Sequence, residues 1–162
     1  MHRFPFTART LRASLLATLF GLLVGAASLP SPASADRVYH SQHLDLIPVG
    51  DAPLRSGFVE NIKAQGPTVY AHEIFVLNGA SPLTTYTVLR DFYFHDPDCS
   101  GEGFPEFVTM LETNAAGNGR GFFPVAPEFV AGFEGVSGVI FVVMDETGTV
   151  RYRTACTAVT LD

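Results

Sequence analysis

The sequence predicts an all-β domain, a sandwich or barrel of about seven or eight antiparallel strands. Short runs of β-branched and aromatic residues alternate with polar residues, and Gly, Pro, Asn and Asp separate the runs. No stretch after residue 35 keeps the apolar spacing of an amphipathic helix over several turns. The nearest helical candidate, residues 106–113, is short and contains several β-branched side chains.

The start of the chain has the composition of an export signal. Residues 1–12 contain three arginines and no acid, and residues 13–27 are almost entirely apolar. Ala33 and Ala35 then belong to an A-x-A triplet, which completes the three parts of a secretory signal peptide. We expect a helical signal peptide over residues 1–35 that is cleaved after Ala35.

Cleavage would leave one domain, residues 36–162, outside the cytoplasm. The apolar run is shorter than the roughly 20 residues that a membrane span needs, so no stable membrane anchor is expected after cleavage. Because no Arg-Arg pair occurs near the start, the sequence favours a Sec-type route over twin-arginine export. The expected destination is the periplasm or the extracellular space.

Turn-forming residues divide the exported part into eight β-type runs. Residues 126–135 contain several Pro and Gly and receive no assignment. Residues 138–145 include six consecutive apolar residues, which predict a strand buried on both faces. The predicted strands are 38–47, 57–64, 68–78, 84–94, 104–113, 120–125, 138–145 and 149–160.

The alternation also predicts which side chains of two strands face the core. In the second predicted strand, Phe58, Ile62 and Ala64 face one way and form its predicted apolar face. In the last predicted strand, Tyr152, Cys156 and Ala158 share a parity, whereas arginines occupy the other. We expect this last strand to be a half-exposed antiparallel partner of the strand before it.

The exported part contains two cysteines, Cys99 and Cys156. An even number of cysteines in an exported chain favours a disulfide. Closing a loop of this length would stabilise the fold by roughly 4 kcal/mol through restriction of the unfolded chain. No C-x-x-C motif is present, so a structural disulfide is favoured over a redox or metal-binding pair.

Residues 77–88 contain a proline, then threonines, a tyrosine and an apolar residue in close succession. This segment resembles the corner before a late strand in fibronectin type III and related immunoglobulin-like β-sandwiches. The resemblance implies that Pro82 stiffens the turn. It also implies that Tyr86 buries its ring between two sheets and returns its hydroxyl to a nearby backbone group. It implies an antiparallel Ig-like fold and no particular activity.

One loop suggests a metal site. His95, Asp96 and Asp98 lie close together, and an imidazole with two carboxylates could hold calcium or a transition metal. His40 and His43 could add ligands, although this spacing on a strand places the two rings on opposite faces. The simpler interpretation of the loop is an Asx-type turn, because Asp and Pro favour turns themselves.

The sequence contains no recognisable motif for nucleophilic or phosphate chemistry. G-x-S-x-G is absent, and the glycines at 117–121 lack the Lys-Ser/Thr ending of a phosphate loop. Glu73 interrupts an apolar parity and is the acid with most claim to a catalytic interpretation, yet an edge position or pairing with Arg90 explains it more simply. We assign no catalytic residue and expect no cofactor.

These observations favour a secreted non-enzymatic binding module. The net charge of −6 argues against nucleic acid, since phosphate binding needs a basic face. Binding would use the loops 95–103 and 114–121 or an exposed sheet face, and the aromatic run at 92–94 could stack on a sugar or a partner. The expected partner is an unknown protein or carbohydrate. A secreted metal-binding protein using the His95 loop is the first alternative, and a small secreted hydrolase is the weaker one.

Overall fold

Two antiparallel sheets enclose one apolar core in the computed structural model, which describes residues 40–64 and 68–161. The described residues form ten strands and one helical turn, so the all-β prediction is confirmed. In chain order the elements are β1 (His40–Asp45), β2 (Ile47–Pro48), β3 (Ser56–Lys63), β4 (Ala71–Asn78), β5 (Thr85–Tyr93), β6 (Phe104–Glu112), β7 (Gly119–Val125), α1 (Pro127–Val130), β8 (Gly135–Met144), β9 (Val150–Arg153) and β10 (Thr157–Leu161).

The strands are divided between a four-stranded and a six-stranded sheet. Sheet I has the order β1-β3-β4-β7. Sheet II has the order β2-β9-β8-β5-β6, and β10 also pairs with β8. The paired strands are all antiparallel. The chain changes sheets five times, between β1 and β2, β2 and β3, β4 and β5, β6 and β7, and β7 and β8. Most of the core therefore forms between elements distant in sequence.

The core consists of the inward faces of both sheets. Strands β4 and β5 alternate strictly between buried and partly exposed residues, as period-2 patterning requires. Phe75 of β4 meets Phe141 of β8 edge to face, with ring centroids 5.5 Å apart. Burying one such ring contributes roughly 1.5–3 kcal/mol, so contacts of this kind hold the two sheets together.

The structure has more strands than the sequence predicts because two predicted strands are each interrupted. Leu46 separates β1 from β2; β1 pairs with β3 in sheet I, whereas β2 pairs with β9 in sheet II. Residues 154–156 separate β9 from β10. The polar and apolar alternation continues through the first break, so the change of sheet leaves no mark in the sequence pattern.

The predicted core face of β3 is wrong. Val59 is fully buried, whereas Phe58 and Ile62 lie on the outer face and are partly exposed. The register decides this, because Val59 pairs with the core residue Phe75 and must share its face. Because β3 carries large apolar side chains on its outer face, the sequence pattern alone predicts the wrong inward face.

The last two strands agree with the sequence only in part. Tyr152 is buried as predicted, but Ala158 is exposed and Val159 takes the core position. The interruption between β9 and β10 reverses the inward parity, which a continuous alternation could not predict. In β8, residues 137–141 are buried on both faces as expected, and alternation returns beyond them.

The predicted signal peptide, its cleavage site after Ala35 and the start of the exported domain lie outside the described residues. They remain predictions from the sequence. Within residues 40–64 and 68–161, no helix has the length and apolar character needed to cross a membrane.

Candidate functional site

A disulfide joins Cys99 to Cys156, as predicted, and holds the loop after β5 against sheet II. The two Cα atoms are 6.0 Å apart. Gly138 of β8 lies beneath this loop; a Cβ there would be 2.6 Å from Cys99 Sγ and 2.6 Å from the Asp96 carbonyl oxygen. The missing side chain therefore lets the loop lie directly on the strand. The disulfide is consistent with a location outside the cytoplasm.

Asp96 organises the same loop as a turn. Its Oδ2 accepts hydrogen bonds from the backbone N–H groups of Gly101 at 2.7 Å and Ser100 at 2.8 Å. Its Oδ1 accepts the N–H of Asp98 at 3.3 Å. These bonds, with that from Gly101 the strongest, hold the pKa of Asp96 below its usual range. This is the geometry of an Asx-type turn.

The candidate metal ligands do not assemble into a site within the described residues. The His95 backbone N–H donates to Ser137 Oγ at 3.2 Å. His43 Nδ1 lies 2.9 Å from Glu60 Oε2, and this hydrogen bond raises the pKa of His43. Only the backbone of His40 is described. No group of three or more His, Cys, Asp or Glu side chains in the described part of the chain is placed to hold a metal ion.

A cluster of charged side chains lies between the two sheets. Arg90 of β5 donates through Nη1 to Glu73 Oε1 on β4, and through Nη2 to Glu106 Oε2 on β6 at 2.6 Å. The Glu73 and Arg90 side chains are each 2% exposed. The guanidinium carbon also lies 4.4 Å from the ring centroid of Phe129 and 5.0 Å from that of Phe92, within cation–π range.

Burial and pairing act in opposite directions on the buried acid. Burial raises the pKa of Glu73, and the charge and hydrogen bond of Arg90 oppose that rise. Glu106 adds a second negative charge on the more exposed side of the guanidinium. Arg90 is therefore the group that keeps a carboxylate in this apolar interior, and pairing with Arg90 is the geometry found for Glu73.

A cavity of about 20 Å³ adjoins the charged cluster. Its wall is mostly apolar and includes Phe129, Phe141 and Val159. Three buried polar atoms on residues lining it have no hydrogen-bond partner among the described residues. These atoms are Asn61 Oδ1, Glu73 Oε2 and Arg90 Nε.

The outer face of sheet II carries several apolar side chains that are open to solvent. One row of directly paired residues crosses five strands and consists of Ile47, Arg153, Val142, Leu89 and Phe107. Met110 and Met144 lie in the next row, on either side of Thr87. Phe107 is 57% exposed, Met110 56% and Ile47 51%. We call this set of residues the sheet II face; contiguous apolar surface of this kind often marks an interaction site.

The aromatic run at 92–94 contributes to a second, smaller cluster. Phe92 is buried, and the Phe94 ring stacks on it at 5.5 Å between centroids. Phe94 also stacks on Phe133 at 4.5 Å, and the exposed Phe104 lies 6.3 Å away. Two of the three rings of the run, Phe92 and Phe94, therefore pack against other rings.

Tyr86 is buried between the sheets, and its hydroxyl lies 3.2 Å from that of Tyr152. The Tyr152 hydroxyl donates to the Pro53 carbonyl at 2.9 Å. The resemblance implied a backbone acceptor for Tyr86, but the backbone bond is made one side chain further on, by Tyr152. Burial and the neighbouring Tyr86 hydroxyl raise the pKa of Tyr152. Pro82 lies exposed in the turn before β5.

The second predicted binding loop, residues 114–121, is held against the domain. Asn114 Oδ1 accepts the backbone N–H groups of Ala116 at 2.9 Å and Asn118 at 3.1 Å. Gly117 packs so closely that a Cβ there would be 2.1 Å from the Ala80 carbonyl oxygen. The loop is therefore fixed at Gly117, while residues 114–116 stay exposed.

Sequence reasoning did not single out Asn61, Phe107 or Met110. The sequence pattern of β3 places Asn61 on the parity opposite to Phe58 and Ile62, so it does not reveal that Asn61 faces inwards. The sheet II face depends on the lateral order of strands, which brings Ile47 and Phe107 into one row. Apolar residues on both parities of one strand, as in residues 138–145, are the only signal of such a face that the sequence offers.

Comparisons of the chain with protein-family models, curated proteins and solved structures find no significant match. The class of protein is therefore defined by the fold and by the features of its interior and surface. It is an antiparallel, two-sheet β domain with one disulfide, an internal charged cluster and an exposed apolar sheet face.

Proposed function

We propose that this protein is a secreted, non-enzymatic binding module that docks a protein partner on the sheet II face. The observation that carries the proposal is the row from Ile47 to Phe107, with Met110 and Met144 beside it. Four of the five strands contribute an apolar side chain to this row, and the side chains at its two ends, Ile47 and Phe107, are exposed. Burying such side chains in a partner would supply the main driving force of association.

The composition of the face favours a protein over a carbohydrate partner. The row neighbours of Phe107 are the aliphatic residues Leu89 and Val142 rather than hydrogen-bonding side chains. Sugar hydroxyls need polar groups around an aromatic platform, whereas an apolar protein surface needs only shape and area. Arg153 places one charge within the row, where it can pair with a carboxylate of the partner.

The proposal is tested with a matched pair of substitutions. Phe107→Ser removes an exposed ring from the sheet II face, and Phe122→Ser removes one of similar exposure, 53%, from the outer face of sheet I. The partner is identified by capture from the extracytoplasmic fraction of producing cells, and both purified proteins are then titrated by calorimetry. We expect Phe107→Ser to raise Kd by roughly 30-fold, the effect of losing a hot-spot residue.

Phe122→Ser should leave that Kd within a factor of about two. Equal losses in the two variants would contradict the assignment of the docking surface. If the wild-type protein binds a glycan array and Phe107→Ser abolishes that binding, the partner is a carbohydrate and the proposal of a protein partner is wrong.

We also propose that the domain is an Ig-like sandwich of the fibronectin type III kind. The support is strand order. When β3, β4, β5, β6, β7, β8 and β9–β10 are named A, B, C, C′, E, F and G, one sheet holds A, B and E, and the other G, F, C and C′. That division, without a D strand, follows the Ig-like arrangement. An experimental structure with a different order would contradict it.

We propose that the chain is exported through its N-terminal signal and acts outside the cytoplasm. The A-x-A triplet and the disulfide support this proposal. N-terminal sequencing of the mature protein should begin at Asp36, and mass spectrometry should find both cysteines oxidised. A mature protein that retains residues 1–35 would contradict cleavage.

A further inference from the structure

The cavity beside the charged cluster has a specific polar lining. Asn61 of β3 and Glu73 of β4 approach it from sheet I, and Arg90 of β5 approaches it from sheet II. Each contributes one buried atom without a hydrogen-bond partner in the described part of the chain. Two of these side chains, Glu73 and Arg90, are 2% exposed. Unsatisfied buried groups are unfavourable, and three around one cavity indicate a shared partner.

The unpaired atoms define the chemistry of that partner. Glu73 Oε2 and Asn61 Oδ1 are acceptors, and the Arg90 Nε–H is a donor. The partner must donate two hydrogen bonds and accept one. A water molecule has two donors and two acceptors, so it can meet all three requirements at once.

The volume of the cavity decides the size of the partner. The cavity measures about 20 Å³, and one water needs roughly 10–15 Å³ on this measure. Organic ligands occupy pockets of roughly 300–1,000 Å³, which is far larger. The rest of the wall includes Lys63 and Tyr70 and is otherwise made of apolar side chains of the core.

We propose that this cavity is a binding site for one internal water molecule, held by Asn61, Glu73 and Arg90. The water donates to Glu73 and Asn61 and accepts from Arg90. It completes the hydrogen bonding of the ion pair at the point where the two sheets meet. This site is separate from the sheet II face and does not depend on the proposed docking function.

The test is a high-resolution crystal structure together with NMR of the Arg90 Nε–H. We expect one ordered density peak within hydrogen-bond distance of all three atoms. We also expect water-to-Nε–H cross-relaxation of opposite sign in the laboratory and rotating frames, the signature of a water that tumbles with the protein. A cavity without density and no such cross-relaxation, or density too large for water, would overturn the proposal.

Substitutions provide a second test. Asn61→Leu removes one acceptor and fills space, so the cross-relaxation should disappear. The control is Asn78→Leu, which should retain it, because the half-buried Asn78 bonds to Ser56 instead. If Asn61→Leu does not fold, Val159→Met reduces the cavity from its apolar wall and should displace the water equally. Cross-relaxation that persists unchanged in the cavity-filling variant contradicts the site.

Discussion

Arg90 and Glu73 form an ion pair in the centre of the domain, joined through Nη1 and Oε1 and almost fully removed from solvent. The same guanidinium reaches Glu106 through Nη2 at 2.6 Å. Such a pair is neutral or unfavourable relative to a well-packed apolar pair, but removing one partner leaves an uncompensated buried charge. The cluster therefore makes folding sensitive to either residue alone.

Arg90→Met should lower the free energy of unfolding by about 3–5 kcal/mol, because Glu73 would remain buried without its counter-charge. The double variant Glu73→Leu/Arg90→Met should lose less stability than Arg90→Met alone, since the acid that remains, Glu106, is partly exposed to solvent. Urea unfolding followed by circular dichroism measures both. Arg120→Met makes the same change at an exposed position of β7, and its free energy of unfolding should stay within about 0.5 kcal/mol of wild type. A double variant less stable than the single would contradict this account.

The disulfide should contribute about 4 kcal/mol, because it closes a loop of 57 residues in the unfolded chain. The variant Cys99→Ala/Cys156→Ala is expected to unfold at a lower urea concentration, with its free energy of unfolding reduced by that amount. Wild-type protein unfolded in the presence of a reductant is the control and should match the variant. A difference below about 1 kcal/mol would show that the loop is held mainly by Asp96 and its hydrogen bonds.

Gly138→Ala tests the close contact beneath the disulfide loop. The added Cβ would lie 2.6 Å from both the Cys99 Sγ and the Asp96 carbonyl oxygen, so loop or strand must move. We expect a loss of about 2 kcal/mol, as for overpacking elsewhere, and slower disulfide formation on refolding. Gly101→Ala, with its nearest contact at 3.2 Å to a carboxylate oxygen, is the control and should have a much smaller effect. Equal effects of the two substitutions would count against the contact.

The loop should also show an acid-dependent stability that depends on Asp96. Its pKa is lower in the folded protein than in the unfolded chain, because Gly101 and Ser100 donate to the carboxylate. The stabilisation is therefore complete above the unfolded pKa of about 4 and is lost as the pH falls through the folded value. Urea unfolding at a series of pH values from 6 downwards measures the difference between wild type and Asp96→Asn.

The difference in free energy of unfolding between wild type and Asp96→Asn should shrink below about pH 4. Asp98→Asn is the control, since Asp98 supplies a backbone N–H rather than a carboxylate to the turn. A wild-type advantage over Asp96→Asn that stays constant down to low pH would contradict the role of the charged carboxylate.

Much of the fold was predictable from local pattern. In β4, Glu73 stood out as the one polar residue on an apolar parity, and that parity is the buried face of the strand. The strand assignment of Phe104–Glu112 and the Cys99–Cys156 pair were also predictable, because strand periodicity and an even cysteine count need no knowledge of long-range contacts. Patterns of this kind are read within a few neighbouring residues.

The register and the lateral order of strands were not predictable in the same way. Val59 rather than Phe58 faces the core because of what β3 pairs with, and Val159 replaces Ala158 because the chain breaks between β9 and β10. Both faces of these strands carry apolar side chains, so alternation alone could not choose between them.

The sequence by itself determined the all-β class of the domain and its Cys99–Cys156 disulfide. It also singled out Glu73 as the polar residue on an apolar parity. Only the tertiary structure decided that Asn61, Glu73 and Arg90 line one cavity, and that Ile47 and Phe107 lie in one row. The physical reason is that local alternation indicates where strands run, whereas strand pairing across long separations decides which face of each strand is buried and which positions meet.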